Sequence, residues 1–191
     1  MKKKLAGMRW SLNRYYYVNQ AISKKDCDEF IDKYKDSEFT EGKIEKSNYP
    51  ELDYRNNKIR WITESNNLLV RALWSYTLEL NCHFNFILNG YEAVQLAKYD
   101  KNCFYGWHTD TIRNEDKPIR KLTAMIQLSK PEDYEGGKFQ LFNGMRESEE
   151  PPIQDQGSIL VFDSTEWHRA TEITEGVRYS LTMWANGPKL V

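Results

Sequence analysis

The stretch RYSLTMWA, residues 178–185, carries the pattern that decides the fold. Side chains alternate between the two faces of a β-strand, so every second residue shares a face. One face of this stretch is apolar, and the other starts with an arginine and is polar or mixed. The apolar face would carry Tyr179, Leu181, Met183 and Ala185, and the opposite face Arg178, Ser180, Thr182 and Trp184.

Two further stretches, residues 121–128 and 94–99, show the same alternation. In the first, Leu122, Ala124, Ile126 and Leu128 oppose Lys121, Thr123, Met125 and Gln127. In the second, Val94, Leu96 and Lys98 oppose Gln95, Ala97 and Tyr99. Two structures fit this pattern: a sheet with one solvated face, or a barrel with a polar cavity inside and helices packed outside. The alternation alone does not separate them.

Short extended runs separated by turn signals come after residue 84. They are residues 92–99, 120–128, 138–142, 157–162, 168–173 and 178–185, with turns at Gly136–Gly137, Gly157 and Glu175–Gly176. Many short strands without intervening helices are typical of a β-sandwich, barrel or jelly roll.

Two amphipathic helices are predicted before residue 84. The first begins after Ser23, with Asp26 in the capping-box position and Ile22 and Cys27 placed for a hydrophobic staple. Its apolar stripe is Cys27, Phe30, Ile31 and Tyr34. The second begins near Ser65, with the stripe Leu69, Ala72, Leu73, Tyr76 and Leu80.

The remaining N-terminal segments are less regular. Residues 14–18 and 58–63 are predicted strands. Residues 38–57 are polar and poorly periodic, which fits a mobile loop or a surface excursion without consequence.

The composition indicates one globular domain without a nucleic-acid or membrane partner. The chain has 191 residues, 40% hydrophobic and 29% charged, and its net charge is −1. Lys2–Lys4 precede no long apolar run, and no window is apolar enough to span a membrane. The odd number of cysteines, Cys27, Cys82 and Cys103, argues against a disulfide framework, so we expect a cytoplasmic location.

The segment FYGWHTD, residues 104–110, introduces a candidate metal site. His108 and Asp110 leave one face of an extended chain together, and His168 comes 58 residues after Asp110. Two histidines and a carboxylate form the facial triad of non-haem Fe(II) oxygenases, although the same set can hold zinc. His83 has no such neighbours and is interpreted as structural or surface.

Arg178 favours the iron interpretation if it shares a face with His168. A two-residue loop at 175–176 would put the two side chains on opposite faces of a hairpin. A three-residue loop at 174–176, with Gly176 in the left-handed region, would put them on one face about 13 Å apart. That spacing accommodates a metal, a five-carbon dicarboxylate and the arginine fork.

In this arrangement the chain resembles the 2-oxoglutarate and Fe(II)-dependent dioxygenases, in the prolyl 4-hydroxylase-like branch. The resemblance runs from about Phe84 to Pro188, and SKKDCDEFI near the N-terminus is also similar. It rests on LAKYDKNCFYGWHTD, RKLTAMIQLS, DYEGGKFQLF, GSILVFDSTEWHRATEI and GVRYSLTMW, in that order. Residues 38–60 are not covered by it.

The resemblance implies an α+β, mainly β fold: a double-stranded β-helix, jelly-roll or cupin-like, with the N-terminal helices on its outer face. It implies a single dioxygenase domain over residues 1–191, in which residues 1–83 support a catalytic core at 84–188.

It also implies the roles of individual residues. His108, Asp110 and His168 would bind Fe(II), and Arg178 would pair with the distal carboxylate of 2-oxoglutarate, so these four form the catalytic set. The cosubstrate site would also include Tyr99, Gln127 and Thr182. At Gln127 another family member uses a tyrosine to reach the same carboxylate, and this departure leaves its second partner open. An intact Asp110 disfavours the halogenase variant.

The implied reaction consumes O2 and 2-oxoglutarate, releases succinate and CO2, and hydroxylates a C–H bond, with ascorbate as a candidate reductant. We expect a prolyl residue in a peptide or protein as substrate, with a free amino acid or other small molecule as the rival. Tyr105, Trp107 and Trp184, with the loop at 111–119, would edge the substrate pocket. A nucleobase substrate is disfavoured because no basic stripe is present. A zinc-dependent jelly-roll hydrolase or isomerase and a non-catalytic binding domain are the alternatives from other classes.

Overall fold

The computed structural model describes residues 14–42, 54–111, 119–144 and 148–189. The basic run Lys2–Lys4, most of the loop at 111–119 and the centre of the polar segment at 38–57 lie outside these ranges. No helix within them is both long and apolar enough to cross a membrane.

The described residues are mainly β, with two α-helices. The helices are α1 (Lys24–Tyr34) and α2 (Leu68–Leu80), and 3-10 turns lie at Asn81–His83 and Pro131–Asp133. The first eight strands are β1 (Tyr15–Val18), β2 (Thr40–Glu41), β3 (Arg55–Asn56), β4 (Lys58–Ile62), β5 (Gly90–Tyr91), β6 (Val94–Tyr99), β7 (Phe104–His108) and β8 (Ile119–Gln127). The others are β9 (Tyr134–Gly136), β10 (Phe139–Phe142), β11 (Ser148–Glu149), β12 (Ile159–Asp163), β13 (His168–Ala170), β14 (Ile173–Gly176) and β15 (Arg178–Gly187).

Two sheets face each other. The major sheet has the order β1-β12-β8-β15-β6-β4-β2, with β5 also paired to β15. The minor sheet has the order β11-β10-β13-β7-β3, and β14 pairs with β9 in a separate ribbon. All pairings among them are antiparallel. The mainly β fold with a double-stranded β-helix arrangement is therefore confirmed.

The helices begin at side-chain caps. Ser23 caps α1 by accepting a hydrogen bond from the Asp26 N–H, as predicted. Helix α2 begins three residues later than expected, because Asn67 rather than Ser65 accepts the N–H groups of Leu69 and Val70.

Both helices pack on the outer face of the major sheet and form the largest core with it. This core contains the predicted apolar faces of β8 and β15, together with Val94 and Leu96 of β6. Burial at about 25 cal/mol per Å² of apolar area makes this layer the main source of stability. The helices on the outer face are thus confirmed, and the opposite face of the sheet turns toward the minor sheet.

The N-terminal segments also contribute to both sheets. Strand β1 pairs with β12 at one edge of the major sheet, and β4 pairs with β6. The polar segment around residues 38–57 carries β2 and β3 at its described ends, and β3 extends the minor sheet by pairing with β7. Arg55, at the start of β3, lines the cavity between the sheets. This end of the polar segment therefore contributes a side chain to the site.

The predicted hairpin between residues 168–173 and 178–185 is wrong. Strand β13 pairs with β10 and β7, and β14 pairs with β9, whereas β15 pairs with β5, β6 and β8. The chain therefore leaves the minor sheet after β13 and enters the major sheet at β15. Gly176 has the expected positive φ of 77°, but it connects two different sheets.

Candidate active site

A cavity of about 530 Å³ lies between the two sheets. The major sheet lines it with the polar or mixed faces of β6, β8 and β15, and the minor sheet lines it with β7 and β13. The sequence left open whether these faces were solvated or enclosed a cavity. Because the minor sheet covers them, they enclose a cavity.

His108 and His168 lie opposite each other in the minor sheet. They are register partners across β7 and β13, and their ring centroids are 4.1 Å apart. Between them and the next pair, Ala170 and Tyr105, β7 has one residue more than β13. This bulge brings Tyr105 onto the same face as His108, where the two rings stack at 3.5 Å.

Both imidazoles are held by the same local contact. The Nδ1 of His108 lies 2.8 Å from the carbonyl of Gly106, and the Nδ1 of His168 lies 2.9 Å from the carbonyl of Glu166. A carbonyl accepts only from a protonated nitrogen, so these bonds place the proton on Nδ1 and leave the Nε2 lone pair available.

Asp110 completes the cluster. Its Oδ1 lies 3.6 Å from His108 Nε2, and its Oδ2 lies 3.5 Å from His168 Nε2. The Thr123 hydroxyl donates to Oδ2 at 2.7 Å and lies 3.0 Å from the Ser164 hydroxyl. The Asp110 N–H donates to the Ser164 carbonyl at 2.9 Å, so side chain and backbone are both fixed.

The protonation states suit metal ligands. Burial, followed by repulsion from His168, lowers the pKa of His108 to about 3, so this ring is neutral at neutral pH. Burial raises the pKa of Asp110, but attraction to the two histidines and the hydrogen bond from Thr123 outweigh it and lower that pKa. The three side chains place one ligand atom each within 4.8 Å of one another, a donor set that fits a facial-triad metal.

Arg178 lines the same cavity from the major sheet. It is 3% exposed and pairs in register with Tyr99, whose ring centroid lies 5.7 Å from the guanidinium carbon. Burial raises the pKa of the Tyr99 hydroxyl, which remains protonated. A metal-ligand cluster and a buried arginine therefore face one cavity from opposite sheets.

The family model of the 2OG-Fe(II) oxygenase superfamily matches residues 94–186, which include the metal-ligand cluster and Arg178. Residues 94–186 belong to the 2OG-Fe(II) oxygenase superfamily. The name of this family implies Fe(II) and 2-oxoglutarate.

Curated relatives of this chain are called PKHD-type hydroxylases. One from Acinetobacter baumannii strain SDF is 22% identical over 182 residues, covering 88% of this chain and 76% of the relative. One from Synechococcus strain JA-2-3B'a(2-13) is 27% identical over 95 residues, covering 48% of this chain. The match spans only 42% of that Synechococcus relative's length.

Solved prolyl hydroxylases share the fold of this chain. A prolyl-4-hydroxylase of Pseudomonas putida superposes with a TM-score of 0.70 at 20% identity, covering 93% of this chain and 95% of its own. A Trichoplax adhaerens prolyl hydroxylase, in complex with a hypoxia inducible factor peptide fragment, superposes with a TM-score of 0.70 at 19% identity, covering 92% and 84%.

The cosubstrate residues suggested by the sequence divide into two groups. Tyr99 and Thr182 line the cavity beside Arg178. Gln127 does not line it, because its side chain lies behind Arg178 and accepts a hydrogen bond from the arginine Nε at 3.0 Å. His83 stacks on Tyr16 at 4.0 Å and takes no part in the cavity lining, as expected.

Two of the three predicted substrate residues line the cavity. Tyr105 and Trp184 do so, whereas Trp107 lies outside it and stacks with Arg169 and Phe142. Trp107 directly precedes His108, so ordinary strand alternation turns it to the outer face. The bulge in β7 acts on Tyr105, which it brings inward beside His108.

The cavity residues that were missed include two arginines and a tryptophan. Arg55 stacks on Tyr105 at 4.3 Å, and Trp61 lies 6.0 Å from Trp184. Trp61 lay in a short predicted strand, and Arg55 lay in the polar segment at 38–57 that was interpreted as a loop. Arg120 binds both carboxylate oxygens of Glu92, at 2.9 and 2.6 Å, and its guanidinium lies 4.1 Å from the Trp184 ring.

Arg120 was missed because strict alternation puts it on the apolar face with Leu122. A register shift between β8 and β15 at this point inserts one residue and turns Arg120 into the cavity. The same shift takes Lys121, predicted on the cavity face, out of the cavity lining, and its ammonium lies 5.9 Å from the Phe86 ring.

Proposed function

We propose that this chain is an Fe(II)- and 2-oxoglutarate-dependent hydroxylase of a prolyl residue in a peptide or protein. The observation that carries the proposal is the placement of the His108–Asp110–His168 cluster and Arg178 in one cavity, on opposite sheets. A zinc-dependent hydrolase would require the cluster but no buried arginine facing it.

His108, Asp110 and His168 would hold the metal. Two imidazole Nε2 atoms and one carboxylate would be its protein ligands, a donor set that would leave coordination positions for a cosubstrate. When bound, Fe(II) with 2-oxoglutarate and O2 supplies the oxidising chemistry that converts a C–H bond to C–OH, with release of succinate and CO2.

Arg178 would hold the distal carboxylate of 2-oxoglutarate. A buried guanidinium offers two parallel N–H donors in a geometry that matches a carboxylate, and its charge is little screened at 3% exposure. Thr182 and Tyr99, which line the cavity beside it, would complete this end of the site.

The walls near the metal cluster favour a prolyl substrate. Tyr105 and Trp184 line the cavity, and Trp61, 45% exposed, extends the aromatic surface outward. A proline ring is apolar and compact, so it packs on aromatic faces without leaving a buried polar group unpaired. The exposed position of Trp61 leaves room for a peptide to continue into solvent.

The names of the relatives support the same substrate class. Those relatives are called hydroxylases, and the structural neighbours include prolyl hydroxylases, one with a bound peptide fragment. The fold likeness is at or below 21% identity for these neighbours, so it supports the substrate class only in combination with the cavity.

The direct test incubates the protein with Fe(II), 2-oxoglutarate, ascorbate and proline-rich peptides in air. We expect succinate to form and the peptide to gain one oxygen by mass spectrometry, whereas a peptide with alanine in place of each proline stays unchanged. Oxygen gain by free proline alone would move the substrate to the small-molecule class. Absence of succinate with every peptide and amino acid tested would contradict the proposal.

A further inference from the structure

Gln127 has every polar group of its side-chain amide engaged. Its Oε1 accepts from Arg178 Nε at 3.0 Å, and its Nε2 donates to the Tyr134 hydroxyl at 3.0 Å and to the Ser129 carbonyl at 3.1 Å. The residue is 1% exposed. A buried amide satisfied on three sides has one orientation, because turning it over would place its NH2 donor against Arg178 Nε–H and its oxygen against the Ser129 carbonyl.

The stem of Arg178 is also enclosed. A Cβ at Gly137 would come within 3.2 Å of Arg178 Cδ and 2.3 Å of Ile173 Cδ1, and Gly137 itself has a φ of 56°. The Gly136–Gly137 pair, interpreted from sequence as a turn, thus allows the backbone to approach the arginine.

The partner of Arg178 is neutral, in contrast to those of two other arginines. Arg120 is paired with the carboxylate of Glu92, and Arg14 with that of Glu166. Within the described residues, the Gln127 contact is the one side-chain hydrogen bond of Arg178. The amide therefore fixes Nε without neutralising the charge, and the two terminal nitrogens stay available for an anion in the cavity.

We infer that Gln127, backed by Tyr134, is a positioning residue that holds the Arg178 fork toward the distal carboxylate of 2-oxoglutarate. This inference rests on the proposed function. Gln127 acts through Arg178, because the Gln127 side chain does not line the cavity. Its contribution should therefore depend on whether the ligand has a distal carboxylate.

The test compares two oxo acids on the metal-loaded protein without oxygen. 2-Oxoglutarate and 2-oxobutyrate share the 2-oxo acid end that a metal chelates, and only 2-oxoglutarate has a second carboxylate. The dissociation constant of each would be measured by anaerobic titration of the Fe(II) protein, following the visible charge-transfer band.

The central variant is Gln127→Leu. We expect it to weaken 2-oxoglutarate binding about tenfold, as for loss of a hydrogen bond to a charged group, and to leave 2-oxobutyrate unchanged. In the Arg178→Ala background the same substitution should have no further effect, since there is no guanidinium to hold. Tyr134→Phe removes the hydroxyl that accepts from Gln127 Nε2, and it should weaken 2-oxoglutarate binding by a smaller factor. This variant replaces Gln127→Leu in the test if Gln127→Leu fails to fold.

Gln140→Leu is the matched control. Gln140 is also buried and accepts from an arginine Nε, that of Arg169 at 2.7 Å, but outside the cavity lining. Gln140→Leu should leave the dissociation constants of 2-oxoglutarate and 2-oxobutyrate unchanged.

Equal weakening of both oxo acids by Gln127→Leu would overturn the inference, since it would indicate general disruption of the site. Unchanged 2-oxoglutarate binding in both Gln127→Leu and Tyr134→Phe would overturn it as well. Failure of the proposed function has a different signature: the unsubstituted Fe(II) protein would show no preference for 2-oxoglutarate over 2-oxobutyrate.

Discussion

His108 and His168 are direct register partners across β7 and β13, and their Nε2 atoms face the two oxygens of Asp110. Antiparallel pairing alone therefore brings two distant histidines to one point. The third member comes from the residues just beyond β7, where the backbone of Asp110 is tied to Ser164. The cluster is built on sheet register, which makes its geometry rigid.

Thr123→Val tests the support of the metal cluster. The substitution keeps the shape of the side chain and removes the hydroxyl that donates to Asp110 Oδ2. We expect metal affinity to fall about tenfold, as is usual when a group that orients a ligand is lost. The measurement is titration with Co(II), followed by its visible absorption.

The control for this prediction is Thr165→Val. The Thr165 hydroxyl also donates to an aspartate, Asp163, at 2.7 Å, but on an exposed turn. Its removal should leave Co(II) affinity unchanged. Equal losses in the two variants would contradict the role assigned to Thr123.

Arg120→Ala tests the cavity wall formed by Trp184, next to the metal cluster, where Arg120 Nη1 also donates to the Asp110 carbonyl at 3.4 Å. Arg120 lies 4.1 Å from the Trp184 ring and fixes that indole against the cavity. Loss of a stacked cation worth on the order of 1 kcal/mol should raise the KM for a peptide substrate about fivefold while the KM for 2-oxoglutarate stays constant. Arg169→Ala, which removes a guanidinium 4.6 Å from Trp107 on the outer face, should change neither constant. A parallel rise in both constants in Arg120→Ala would argue against a substrate wall.

The fold and the site were predictable to different extents. The alternation in β8 and β15 predicted which side chains enter the core, because apolar burial decides the face of a strand. The cap at Ser23 predicted the start of α1, because its contact is local. Contacts between residues far apart in sequence were harder to predict. Arg178 was assigned to the face of His168 through a hairpin that the structure does not contain.

Bulges change which side chains enter the site. Bulges in β7 and β8 each add a residue, and an added residue moves the side chains beyond it to the opposite face of the strand. They turn Tyr105 and Arg120 inward, and the bulge in β8 leaves Lys121 out of the cavity lining. Nothing in the local composition marks these bulges, because long-range pairing determines where they occur.

Leu181→Ala tests the main core. Leu181 is fully buried in β15 between the sheet and the helices. Removal of its side chain should lower the free energy of unfolding by about 3 kcal/mol, measured by urea titration. Leu68→Ala, at a 62% exposed position of α2, should change it by less than about 0.5 kcal/mol. Similar changes in both variants would contradict the packing of the helices on the major sheet.

The three cysteines should differ in reactivity. Burial raises the pKa of Cys27 to about 12 and also raises that of Cys103, while Cys82 is exposed. Because the thiolate is the reactive form, a disulfide reagent at pH 8 should modify one thiol in the folded protein and three in denaturant. Cys82→Ser should abolish the rapid reaction. Rapid modification that persists in Cys82→Ser would show that a thiol described as buried is accessible.

The most direct test of the central claim is the visible spectrum of the anaerobic protein with Fe(II) and 2-oxoglutarate. We predict a weak charge-transfer band that forms with the unsubstituted protein and with His83→Ala, weakens in Arg178→Ala, and is absent in Asp110→Ala. No band in the unsubstituted protein, together with tight retention of zinc, would contradict the assignment of this cavity to Fe(II) and 2-oxoglutarate.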